Sequence, residues 1–115
     1  MIYREINIED GMPEVKQAIA HLYSEIERSK SYGAKVMKLI HGYGSSGKGG
    51  KIRVAIRKEL EKCQREGQIA FFITGENFSI FDENTRKILY VDKSIREDKD
   101  LNRHNNGVTF VVFQP

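Results

Sequence analysis

Residues 39–53 read LIHGYGSSGKGGKIR, which puts one histidine, five glycines and three basic residues into fifteen positions. His41 carries the side chain whose ordinary pKa lies nearest neutrality, so it is a candidate general acid or base. In isolation a histidine at a strand end is more often a structural group bonded to a neighbouring turn. Gly42, Gly44 and Gly47 would let backbone N–H groups approach a phosphate closely, and a helix that follows would add its positive N-terminus. Lys48, Lys51 and Arg53 would supply mobile charge, and Arg57 lies one helical turn beyond Arg53 on the same face. Tyr43 could stack on an unpaired base or simply cover the base of the loop. Glu9 and Asp10 are candidate bases or metal ligands if their strand lies beside the one that ends at His41.

Two familiar phosphate motifs fail on this stretch. Gly42-Tyr43-Gly44-Ser45-Ser46-Gly47 spells the dinucleotide fingerprint, but the next apolar run ends Ile73-Thr74-Gly75, and Glu76 is a poor stand-in for the acid that should hold a ribose. Gly42, four residues and then Gly47-Lys48 nearly make a P-loop. The position that must offer a magnesium-binding hydroxyl is Gly49, and Ser45 and Ser46 lie on the wrong side of the lysine.

The elements that must position these residues follow from periodicity. Ile2, Ile6 and Ile8 share one side of a short strand with Arg4. Pro13 suits a helix start, and Val15, Ala18, Ile19, Leu22 and Ile26 form an apolar stripe that predicts a helix to about Ser31, closed by Gly33. Lys35 to His41 reads as a strand covered on at least one face. Ile52, Ala55, Ile56, Leu60 and Cys63 predict a second helix ending at Gly67, and residues 69–74, IAFFIT, a third strand. Asp82 or Asn84 could cap a short helix carrying Ile88 and Leu89 inward, and residues 92–105 are expected to be an exposed, highly charged tail. Asn106-Gly107 and VTFVVF predict a turn and a terminal strand. The order β-α-β-α-β-(insertion)-β gives the α/β class: a two-layer α/β sandwich with a mixed sheet of about four strands and two main helices. Length predicts a single domain over 1–115, with the insertion at about 75–106. Cys63 is expected in the core, and His21 and His104 in solvent.

With His41 included, LIHGYGSSGKGGKIRVAIRKEL resembles the signature of the Smr (small MutS-related) domain. In that family a strand ends in H-G-x-G, a glycine-containing turn follows, and a helix opens with a pattern like L-R-x-A-V-R-x-x-L. His41-Gly42-Tyr43-Gly44 matches the first part and residues 52–60, IRVAIRKEL, the second, with an intervening turn a few residues longer than usual. Residues 106–111, NGVTFV, resemble the family's closing G-V-T strand. The chain departs from the family at its start, where L-D-L-H-G is usual: Asn7 stands at the Asp and Glu9 at the His. The resemblance implies nucleic-acid binding, with cleavage or nicking of RNA or DNA as the associated activity and His41 as its proton-transfer residue. The alternatives are a non-catalytic nucleic-acid or ribosome-associated binding module and, more distantly, a small phosphorylated ligand held by the glycines. A divalent metal such as magnesium is compatible with cleavage, and nothing in the sequence requires one.

Charge agrees with a polyanionic partner. The net charge of +3 hides blocks: residues 1–29 hold three basic and six acidic residues, 30–65 ten and two, and 66–115 six and eight, for balances of −3, +8 and −2. The positive block is centred on the glycines, as expected of a phosphate-binding surface. A solvated basic helix face gives the same pattern. No apolar run approaches a membrane span, the acidic start is unlike a secretory signal, and one cysteine forms no internal disulfide. A cytoplasmic protein with no membrane partner is expected.

Overall fold

A computed structural model describes residues 3–42 and 48–114. Four strands form one mixed sheet: β1 (Arg4–Asn7), β2 (Val36–Ile40), β3 (Phe71–Thr74) and β4 (Val108–Val112), in the order β1-β2-β4-β3. β1 and β2 are parallel, and β4 runs antiparallel to both β2 and β3. Three strands therefore share one direction and the last is inserted against them. The helices are α1 (Val15–Ser31), α2 (Lys48–Arg65) and α3 (Glu83–Val91). The α/β class, the mixed sheet and the two main helices are those expected from the sequence.

Strand side chains alternate between the two faces of the sheet, and each face has its own core. Met37 and Leu39 of β2 and Val111 of β4 pack with Leu22 and Ile26 of α1 and Ile56 and Leu60 of α2. Cys63 is fully buried in the same cluster. Arg4 lies on this side, as the sequence predicts, where its guanidinium donates to Ser29 Oγ at 2.8 Å and Glu25 Oε2 at 3.1 Å. Val36, Ile73, Val108 and Phe110 point the other way and pack with Phe78, Ile88 and Ile95 from the segment between β3 and β4.

Chain reversals explain why the helices stop where they do. Gly33 (φ 70°) and Gly67 (φ 76°) take the left-handed conformation. Behind them Ala34 N donates to Ser29 O and Gln68 N to Cys63 O, both at 2.9 Å. These bonds satisfy helix carbonyls left open at each end. Asp82 caps α3 by accepting from Thr85 N at 2.9 Å, and Ile88 and Leu89 are buried as expected.

Two expectations need correction. Helix α2 begins at Lys48, four residues before the apolar stripe that predicted its start, so Lys48-Gly49-Gly50-Lys51 is helical. First-turn N–H groups have no intrahelical acceptor in any case, and the flanking helix outweighs the weak preference of glycine. Residues 92–105 are not an exposed tail. Lys93–Glu97 forms a 3-10 turn with Ile95 fully buried, and two aspartates beyond it grip the sheet. Lys38 of β2, 1% exposed, donates from Nζ to both oxygens of Asp98 at 2.9 Å and to Asp100 Oδ2 at 2.7 Å. Burial alone would lower the lysine pKa, but its bonds to Asp100 and Asp98 and their charges raise it, and Asp100 is lowered in return despite its own burial. Tyr3 completes the cluster by donating its hydroxyl to Asp98.

Candidate nucleic-acid interface

His41 follows directly from β2 and turns toward the helix face, where it is fully buried. Its Nδ1 lies 2.9 Å from Gly42 O and its Nε2 lies 2.8 Å from Thr109 Oγ1 on β4. Arg57 Nε donates to the same Thr109 oxygen at 3.2 Å. Together these contacts fix the protons. A carbonyl only accepts, so Nδ1 carries the hydrogen. Nε2 is then an acceptor, filled by the Thr109 hydroxyl, and that oxygen in turn accepts from Arg57. Burial pushes the His41 pKa down to about 4, and the positive charges of Arg57 and Arg53 add to the shift against the opposing Gly42 bond. The ring is therefore neutral at physiological pH, with both nitrogens bonded.

Arg57 is the hub of the arrangement. Its two terminal nitrogens meet Glu76 in a two-pronged pair, at 2.8 and 2.7 Å. One of them also donates to Asn106 O at 3.2 Å and Val108 O at 3.3 Å. Burial would raise the Glu76 carboxyl, but the bonds from Arg57 and its charge hold it below its ordinary value. Glu76 sits in a 3-10 turn (Gly75–Asn77) that follows β3 at once. Its neighbour Gly75 has no room for a side chain, because a Cβ there would fall 1.7 Å from Asn105 O. His104 is exposed as expected but anchored, with Nδ1 3.1 Å from Glu76 O.

The acid candidates reach the same end of the sheet because β1 and β2 pair, with Asn7 opposite Ile40. Gly42 has φ 77°, and a Cβ on it would lie 2.0 Å from Glu9 Oε2. Glu9 thus packs on the bare backbone of Gly42, a close approach that only glycine permits. Asp10 is exposed, and its N–H is held by Asn7 Oδ1 at 2.9 Å. Lys51 is exposed on the first turns of α2 and Arg53 is half-buried. Tyr43, Gly44 and Gly47 lie outside the described residues, as do the side chain of Lys48 and its surroundings.

The structure therefore brings His41, Gly42, Glu9 and Arg57 to one end of the sheet, with Lys51 on the helix that leaves it. Thr109 is a member that sequence reasoning missed, and Glu76 was weighed there only as a ribose-binding acid. Thr109 stood in the recognised closing strand, but a cross-strand partner of His41 requires the β2–β4 register. Among the described residues, no group of three His, Cys, Asp or Glu side chains is placed to hold a metal ion. None of their helices is long and apolar enough to cross a membrane.

No protein-family model and no curated protein matches the chain. Among solved structures, the Smr domain of Thermus thermophilus MutS2 is similar, with a TM-score of 0.60 over 97% of this chain and 99% of that one, at 20% sequence identity. The chain has an Smr-like fold.

Proposed function

We propose that this protein binds the sugar–phosphate backbone of a nucleic acid through Gly42 and the first turns of α2, with Lys51 and Arg53 as the principal cationic contacts. The observation that carries this reading is the opening of α2. The helix starts at Lys48, contains Lys51 and Arg53 in its first two turns, and has no acid in its first turn. A helix N-terminus is already positive, and basic residues there are locally unfavourable unless an anion is to be met. Gly42, with its left-handed backbone, leads into this helix. Tyr43, Gly44, Gly47 and Lys48 belong to the proposal by their place in the sequence between these points. The likeness to a domain of MutS2 is consistent with it.

Binding without scission is the form of this reading that the geometry favours. A proton-transfer residue needs a ring nitrogen open to the reacting group. Both nitrogens of His41 are engaged inside the protein, and Arg57 is engaged by Glu76. We assign these two residues to holding the strand ends and α2 in register, so that Lys51 and Arg53 face the ligand.

The test is a titration of labelled RNA and DNA at increasing salt, with and without divalent metal. Affinity is expected to fall steeply with salt and to weaken across all sequences in the Lys51→Ala/Arg53→Ala double variant. Absent or salt-insensitive binding would overturn the proposal. Scission by the purified chain that disappears in His41→Ala would show instead that the histidine leaves its buried position to act in cleavage.

A further inference from the structure

We propose that the turn at residues 79–82 is a stacking platform for an unpaired base, with Phe81 as the stacking ring, and that the nucleic acid bound by this protein is single-stranded. The proposal rests on the backbone-binding reading above and extends it to a substrate class. Phe81 is 85% exposed, and Ile80 beside it 46%. Phe81 precedes the cap Asp82, a position whose apolar side chain commonly packs on the fourth residue of the helix. That residue is Arg86, and Phe81 remains in solvent.

The turn that displays it is pinned on every side. Ile80 N donates to Asn102 Oδ1 at 3.0 Å, Phe81 N to Ser79 Oγ at 3.2 Å, and Asp82 N to Ser79 O at 2.9 Å. Arg86 donates from its guanidinium to Ile80 O at 3.0 Å. An aromatic ring on a pre-ordered turn loses little freedom when it binds.

The surroundings favour a nucleotide over an apolar protein surface. The Arg86 guanidinium donates to the carbonyl just before Phe81 and so brings a positive charge to the turn. A cation held on the turn that displays an aromatic ring suits a base with its flanking phosphate. The Asp82 carboxylate is spent on Thr85, and Glu83 is the acid in the first turn of α3. The platform is also tied to the basic helix. Asn102 N donates to Phe78 O at 2.9 Å, His104 meets Glu76 O, and Glu76 meets Arg57 of α2. In this proposal the strand continues from α2 past Glu76 to Phe81. Only an unpaired base exposes a free face to stack there.

The chain has no tryptophan, so Phe81→Trp creates a single fluorescent reporter. Its emission is expected to be quenched by a single-stranded oligonucleotide and hardly changed by an abasic strand of equal length. Phe81→Ala, at an exposed site, should keep the fold and the salt slope while weakening single-strand binding about tenfold and leaving duplex binding nearly unchanged. Equal single-strand affinity for Phe81→Ala and the unsubstituted chain, or equal quenching by the abasic strand, would overturn the proposal. Salt-dependent binding that ignores Phe81→Ala removes this inference alone. No salt-dependent binding by the unsubstituted chain removes the backbone reading and this one together.

Discussion

Arg57 dictates the hydrogen bonding of His41 through a partner that the two share. By donating to Thr109 Oγ1 it leaves that hydroxyl free to give its own proton to His41 Nε2, and the Gly42 carbonyl takes the remaining imidazole hydrogen. A second proton on the ring would have to displace the Thr109 donor in a buried site with two arginine charges nearby. Stability should record this. The folded pKa is about 4 and the unfolded value is ordinary for histidine, so between them the unfolded chain binds the extra proton and the folded chain does not. The contribution is complete above about pH 6.5 and is lost as pH falls through 4, by roughly 3 kcal/mol in all. Urea midpoints at pH 7.5, 5.5 and 4.5 test it: the unsubstituted chain should weaken across the series, and His41→Asn should lose that part of the slope. Parallel curves would mean that His41 is not held neutral. Thr109→Val leaves both Nε2 and the Arg57 Nε hydrogen without a partner, and is expected to cost about 1–3 kcal/mol at neutral pH.

The segment between β3 and β4 shows at the level of elements what the sequence disclosed and what it withheld. Its cap, narrowed to Asp82 or Asn84, and the inward pair Ile88 and Leu89 were legible, because capping and helical spacing are local. The docking of the remainder was not. Asp98 and Asp100 look like solvated charges in a polar run, and Lys38 looks like a lapse in an apolar strand; each makes sense only beside a partner some sixty residues away. The start of α2 was hidden for a related reason, since glycines read as a turn until the helix behind them is seen to carry through. The buried cluster gives this account a test. Lys38→Met would strand two acidic groups, 3% and 8% exposed as side chains, without their cation. Loss of one partner of a buried pair typically costs about 3–5 kcal/mol. Adding Asp98→Asn and Asp100→Asn to Lys38→Met should restore much of that, because the uncompensated charges go too. A single variant as stable as the unsubstituted chain in urea would show that the lysine does not hold the segment to the sheet.

Over the whole molecule, the strand and helix order was readable from hydrophobic period alone, and the fold it implied is shared with a domain only 20% identical. The antiparallel fit of β4 between β2 and β3 needed the structure, since periodicity carries no direction. Charge is distributed as unevenly in space as along the chain. The basic block of residues 30–65 includes α2, whose outward Lys51, Lys58, Lys62 and Arg65 recur at helical spacing, whereas the acidic excess of residues 66–115 is partly neutralised internally by Lys38 and Arg57. A polyanion should therefore sense the helix rather than the net charge. Each phosphate contact removed lowers the slope of log affinity against log salt by about 0.7 for a single strand. Lys51→Ala with Lys58→Ala should flatten that slope by one to two such steps, while Lys93→Ala with Lys99→Ala, the same change in net charge, should leave it in place. Equal flattening by both pairs would mean that binding answers to overall charge, and the basic face of α2 would lose its claim to be the interface.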